Sequence, residues 1–122
     1  MNEKYKILYV DDESINLQLF DINFKKNYEV LTAYNGMNGL EVLDNNPDIL
    51  VVVSDMKMPN MNGIEFIKQA KEKHPDIKFY ILTGFDITEE IQEALKSSLI
   101  LKYFRKPFNK KELETAISDV IC

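Results

Sequence analysis

Ile49-Leu50-Val51-Val52-Val53-Ser54-Asp55 is the stretch that decides the fold. From Ile49 to Ser54 it is apolar on successive positions and rich in β-branched residues. A strand with one wet face would alternate, so this run predicts a strand covered on both sides, as in a parallel sheet sandwiched between helices. Tyr5 to Val10 and Phe79 to Thr83 read the same way, and all three are expected inside the sheet. Tyr28 to Tyr34 mixes polar with apolar residues and Leu101 to Arg105 is flanked by charges, which suits outer strands.

Between the strands lie helical patterns. Ile87, Ile91, Ala94 and Leu95 form one stripe, and Leu113, Ala116, Ile117 and Val120 another. Asn109 followed by Glu112 predicts a capping box opening the last helix. Ser14 is expected to cap the first helix, with Ile15, Leu19 and Ile22 on its buried face. Further helices are expected around 37 to 45 and 63 to 73, the latter stopping before Pro75. Five strands alternating with five helices predict an α/β, flavodoxin-like, doubly wound parallel sheet of order 2-1-3-4-5. In that order the winding reverses between the first and third strands and leaves a ligand crevice beyond their carboxyl ends.

The 122 residues suit one domain, 1-122, able to bury roughly two-thirds of the surface that its unfolded chain would expose. No linker, repeat or low-complexity tract divides it. The chain is expected to be either a stand-alone unit or one cut from a larger protein. Fifteen Lys plus Arg against 20 Asp plus Glu give a charge of −5, which argues against direct nucleic-acid binding. No apolar run approaches the roughly 20 residues that cross a bilayer, so no membrane association is expected. The lone Cys122 has no intrachain partner and is read as an incidental thiol, in keeping with a reducing, cytoplasmic setting.

In this topology Asp11 and Asp12 follow the first strand, Asp55 and Thr83 end the third and fourth, and Lys106 follows the fifth. Parallel strands about 4.8 Å apart bring these side chains to one rim. Two carboxylates about 4 Å apart repel by roughly 4 kcal/mol at an effective dielectric of about 20, so three together call for a cation. Oxygen ligands select a hard one, Mg²⁺ first and Mn²⁺ as a substitute. Lys106 and Thr83 suit a phosphoryl group better than a bare metal ion. Asp55 then becomes the candidate nucleophile, with Asp11 and Asp12 holding the metal.

Four segments carry a family resemblance over nearly the whole chain. They are Val10-Asp11-Asp12-Glu13, Ser54-Asp55-Met56-Lys57-Met58-Pro59 with Met61 and Gly63, Leu82-Thr83-Gly84, and Lys106-Pro107-Phe108. Together they resemble the response-regulator receiver domains of two-component signalling. The resemblance implies that Asp55 is the phosphoacceptor, Asp12 a direct metal ligand, Asp11 a ligand through water, and the Lys57 backbone carbonyl the remaining protein ligand. It further implies that Thr83 moves to a phosphoryl oxygen with Gly84 leaving room, that Lys106 holds the phosphate, that Lys106-Pro107 is a cis peptide, and that Tyr103 is the switch aromatic. The partners implied are a sensor histidine kinase or histidine phosphotransfer protein as donor and an output domain or target protein. The target would meet the surface of the fourth helix, fifth strand and fifth helix, which a phosphorylation-dependent dimer would also use.

Two departures stand out. Ser97-Ser98-Leu99-Ile100 is glycine-free and one residue longer than the usual turn before the fifth strand, and Lys57 and Phe85 flank the path of water to an acyl phosphate, where Phe85 is expected to shield it.

Other readings fare worse. A haloacid-dehalogenase-type phosphatase needs a second Asp where Lys57 stands, a flavin phosphate prefers amides and hydroxyls to an acidic rim, and no P-loop sequence occurs. His74 before Pro75 reads as a surface residue at a helix end, Met56, Met58 and Met61 as loop packing, and Lys25-Lys26 and Lys110-Lys111 as solvated helix faces.

Overall fold

A computed structural model describes residues 4–84 and 87–121. Phe85 and Cys122, and with them the shielding and thiol readings, lie outside the described residues. The elements alternate as β1 (Lys6–Val10), α1 (Ser14–Phe24), β2 (Glu29–Ala33), α2 (Gly36–Asn45), β3 (Ile49–Asp55), α3 (Gly63–Lys73), β4 (Lys78–Thr83), α4 (Glu89–Lys96), β5 (Lys102–Arg105) and α5 (Lys110–Ile121). All strand pairs are parallel, in the order β2-β1-β3-β4-β5. The runs expected inside the sheet are the three inner strands, covered on both faces except at Tyr5 and Leu50, which are exposed at 54% and 39%, and the mixed ones are the edges. Among the described residues no helix is long and apolar enough to cross a membrane.

Alternation along the strands splits the core in two. Leu8, Val10, Val52, Phe79 and Ile81 face α2, α3 and α4 in a mostly aliphatic layer with Leu43, Ile64, Ile67 and Ile91. Ile7, Tyr9, Val51, Val53, Tyr80 and Leu82 face α1 and α5, where Phe20, Phe24 and Phe104 make the layer aromatic. The stripes read on α4 and α5 point inward: Ile91, Ala94, Leu113, Ala116 and Ile117 are buried, while Ile87, Leu95 and Val120 pack at the margins.

The first helix corrects the sequence reading. Ile15, Leu19 and Ile22 are exposed, at 59%, 47% and 62%, and Phe20 and Phe24 are buried instead. Leu17, Phe20 and Phe24 form a competing stripe, and aromatic rings bury more area than the aliphatic alternative. Ser14 is not the cap but the first helical residue; Glu13 is the N-cap and makes no side-chain cap bond. The helix is tied to β1 another way, through the Glu13 amide donating to Asp11 Oδ1 at 3.0 Å.

At α5 the Glu112 amide donates to Asn109 Oδ1 at 3.0 Å, the serviceable half of the expected box. A complete capping box opens α3, where Asn62 and Glu65 exchange bonds of 2.9 Å each. Before β5, Ser98 occupies the left-handed region at φ 62°, where a glycine would sit without strain.

Candidate functional site

Register builds the site. Val10 pairs with Ser54, and Asp55 pairs with Leu82, so the residues just past β1 stand beside the end of β3 at the crevice where winding reverses. The carboxylates of Asp11, Asp12 and Asp55 each offer an oxygen within 4.8 Å of the others. From the end of β5, Lys106 Nζ reaches both Asp11 Oδ2 and Asp55 Oδ1 at 3.0 Å. Its position is fixed from behind by its own amide, which donates to the Thr83 carbonyl at 2.8 Å. The Lys106-Pro107 peptide is cis.

The loop after β3 is shaped to leave room. Asn60 takes a left-handed φ of 70°, and the Gly63 amide returns to the Met56 carbonyl at 2.8 Å. A Cβ on Gly63 would collide with the Asp55 carbonyl oxygen and the Ile81 side chain, so only glycine lets α3 start this close to the site. Met58 is buried and Met56 and Met61 pack against the aliphatic core, as packing residues do. The result is a cleft of about 600 Å³ lined by Asp12, Glu13, Asp55, Lys57, Gly84 and Lys106.

Electrostatics inside the cleft are in tension. Burial pushes the Asp55 carboxyl up from 3.8 to about 6; its bond to Lys106 opposes this, and the charges of Asp11 and Asp12 add to it. Burial alone would lower the Lys106 ammonium, but its bonds to Asp11 and Asp55 outweigh that and raise it. The Asp11, Asp12 and Asp55 cluster against the Lys106 ammonium is net negative and offers a cation oxygen ligands, the donor chemistry that a hard divalent cation fits.

Thr83 ends β4, buried, while Gly84 is the residue of that segment that lines the cleft; a Cβ there would meet nothing within 4 Å. Tyr103 is half-buried in β5 and pairs with Ile81, two residues before Thr83, so Thr83 and Tyr103 share one face of the sheet. His74 ends α3, its ring nitrogen 3.2 Å from Asp44 at the surface, and Lys25, Lys26, Lys110 and Lys111 are exposed.

Two contributors escaped the sequence reading. The Glu13 amide and the Tyr9 hydroxyl both bind Asp11, the latter at 2.6 Å to Oδ2. For Tyr9 the signal was available: in a strand, residues two apart share a face, and Asp11 is two past Tyr9.

Comparison with known proteins agrees with this geometry. The response regulator receiver domain matches residues 7–118, and the chain belongs to that family. It is 36% identical over 119 residues to the sporulation initiation phosphotransferase F of Bacillus subtilis, covering 96% of this chain and 92% of that one. It is 31% identical over 120 residues to a chemotaxis protein CheY homolog of Campylobacter jejuni, covering 95% and 92%. A receiver domain protein of Clostridium thermocellum superposes with a TM-score of 0.89 at 36% identity, covering 95% of this chain and 93% of that one. CheY4 of Vibrio cholerae gives 0.87 at 27% identity, covering 97% and 99%. This is therefore a regulatory receiver of two-component signalling, a family whose general function is a phosphoacceptor switch and whose members meet histidine kinases or phosphotransfer proteins and output domains.

Proposed function

We propose that residues 1–122 act as one cytoplasmic receiver unit that takes a phosphoryl group on Asp55 from a phosphohistidine of a partner, in a Mg²⁺-dependent reaction, and thereby alters its binding surface. The observation that carries this reading is the lysine bridge: Lys106 Nζ sits 3.0 Å from both Asp11 and Asp55 at the mouth of an acidic cleft. In the transfer an Asp55 carboxylate oxygen forms the new bond to phosphorus. The bond from phosphorus to the donor nitrogen breaks, and its electron pair stays on the imidazole, which reacts protonated on its other nitrogen and so leaves as the neutral ring.

Asp12, Asp55 and the Lys57 carbonyl would hold the ion directly and Asp11 through water, with Mn²⁺ able to substitute. The ion supplies charge neutralisation for the phosphoryl oxygens. Lys106 moves with the oxygen it neutralises, and the Thr83 hydroxyl donates to another. The shared face of Thr83 and Tyr103 supports the next step, in which Tyr103 turns inward as Thr83 shifts. That repacking biases the surface of α4, β5 and α5 toward an output partner or a second copy of the chain. The only chemistry catalysed is the domain's own phosphorylation and dephosphorylation.

For the donor, the exposed Ile15, Leu19 and Ile22 of α1 offer an apolar docking face. It continues into a largely apolar cleft of about 440 Å³ lined by Tyr9, Leu19, Leu82 and Phe108, which reaches Lys106. Leu19→Glu is expected to slow transfer from a protein donor at least tenfold while leaving uptake from a small phosphodonor unchanged.

Incubation with a small phosphodonor and Mg²⁺ tests the central reading by intact mass. One acid-stable, base-labile phosphoryl adduct is expected, absent in Asp55→Asn. An unchanged mass for the wild-type chain, or an adduct persisting in Asp55→Asn, would overturn it.

A further inference from the structure

Asp11 is fully buried, and a buried carboxylate is tolerated only where donors replace its water. Three do so: the Glu13 amide at 3.0 Å on Oδ1, and Lys106 Nζ at 3.0 Å and the Tyr9 hydroxyl at 2.6 Å, both on Oδ2. The Tyr9 contact has the length of a charge-assisted bond from a neutral hydroxyl to an ionised acceptor.

The donor is also held still. The Tyr9 ring is 1% exposed and stacks on Phe20 at 4.3 Å with 7° between the planes. Phe20 in turn packs on Phe24 at 4.6 Å and on Phe108 at 6.0 Å. The hydroxyl is therefore fixed by a column of rings that joins α1 to the segment just after Lys106.

Lys106 is placed differently, with one ammonium divided between Asp11 and Asp55. Once Asp55 carries a phosphoryl group, the negative charge moves outward and the ammonium has to follow it. Each step it takes strips a protein donor from a fully buried carboxylate.

We propose that Tyr9 is a positioning residue of this site: its hydroxyl keeps Asp11 satisfied when Lys106 leaves, and so frees the lysine for the phosphoryl group. The inference rests on the phosphoacceptor reading above. With Tyr9 present, Asp11 retains two donors after the lysine departs. Without the hydroxyl it retains one, and Asp11 keeps hold of the ammonium.

Tyr9→Phe deletes one oxygen and leaves the stacked ring. The time course of phosphoryl uptake from a small phosphodonor at saturating Mg²⁺, followed by intact mass, is expected to slow about tenfold, the scale of one hydrogen bond to a charged group. Mg²⁺ affinity measured by calorimetry is expected to stay within about twofold, because Tyr9 bonds none of the three proposed direct ligands, Asp12, Asp55 and the Lys57 carbonyl, and Asp11, which it does bond, is proposed to meet the ion only through water. That split separates a role through Lys106 from a merely structural one.

A rate equal to wild type overturns the inference. So does a joint fall of rate and Mg²⁺ affinity, which would mean that the hydroxyl only maintains the pocket or the fold. The two readings fail separately. A wild-type chain that takes up no phosphoryl group defeats the phosphoacceptor, whereas a wild-type chain and a Tyr9→Phe variant that react equally fast defeat Tyr9 alone.

Discussion

The two faces of the sheet are built from different chemistry. Toward α2, α3 and α4 the core is largely aliphatic, with Leu8, Val52, Ile64, Ile67 and Ile81 packed without a polar tip among them. Toward α1 and α5 it is largely aromatic, and two of its rings end in hydroxyls with named acceptors: Tyr9 on Asp11, and Tyr80 on the Ala116 carbonyl at 3.0 Å. An aromatic phenol fills volume like a hydrocarbon and still donates a hydrogen bond at its far end. The buried acid Asp11 accordingly lies on the aromatic face, because there the core itself can supply a donor. Among the described residues the aliphatic face buries no carboxylate; its polar side chains include Ser54, Thr83 and Tyr103, whose bulk can move without stranding a charge.

The largest effect that tests this contrast comes from one truncation on each face. Phe20→Ala and Ile67→Ala each remove a fully buried side chain and are each expected to cost about 4 kcal/mol by urea unfolding. Their effects on the site should differ. Phe20→Ala releases the Tyr9 ring, so phosphoryl uptake should slow as it does in Tyr9→Phe, while Ile67→Ala should leave the rate of the folded fraction unchanged. Equal rates in the two variants would show that the faces differ in composition only.

Next in size is Lys106→Ala, expected to destabilise the metal-free protein by about 3 kcal/mol, because it leaves Asp11 buried and Asp55 uncompensated. The loss should shrink when Mg²⁺ is added, since a cation then replaces the ammonium. Urea midpoints with and without Mg²⁺ measure both.

Asp55 gives a smaller effect of opposite sign. Its carboxyl titrates at about 6 in the folded protein against 3.8 as a free side chain. Between those values the folded chain holds a proton that the unfolded chain has released. Stability without metal therefore falls as pH rises through that window and levels off above it. Asp55→Asn should flatten that slope and raise stability at pH 7 by about 2 kcal/mol, with little gain at pH 4. Denaturation curves across pH 4 to 8 check the sign; a wild-type chain more stable at pH 7 than at pH 5 would contradict it.

The same contrast explains what the sequence revealed. The inner strands were legible because burial on both faces leaves an unbroken apolar run, and each expected strand ends within one residue of the observed one. The site was legible because Asp11, Asp12, Asp55 and Lys106 all sit at strand ends, where topology alone brings them together. The first helix was not, since SINLQLFDINF offers two apolar stripes and only the packed structure selects the one with Phe20 and Phe24. The capping box at Asn62 and Glu65 was a local signal hidden inside the segment already assigned to the metal loop. Tyr9 was hidden by its surroundings, because inside an apolar run a tyrosine reads as another core residue until its hydroxyl has an acceptor.

The smallest effect lies at the edge of the aliphatic side, where the tension is in the backbone and not in charge. After α4 the chain turns into β5 through Ser98 at φ 62°, with the Leu99 and Ile100 amides both returning to the Ala94 carbonyl at 2.9 and 3.3 Å. Lys71 from α3 reinforces the turn by donating to the Ser98 carbonyl at 3.0 Å. A side chain at that φ costs about 1 kcal/mol that glycine does not incur, which more than offsets the extra freedom that glycine brings to the unfolded chain. Ser98→Gly should therefore stabilise the protein by a little under about 1 kcal/mol in urea and leave Mg²⁺ affinity untouched. Destabilisation would mean that the Ser98 side chain is worth more than the strain it imposes. A changed Mg²⁺ affinity would mean that this turn, which precedes β5 while Lys106 follows it, communicates with the acidic cleft at the other end of the strand.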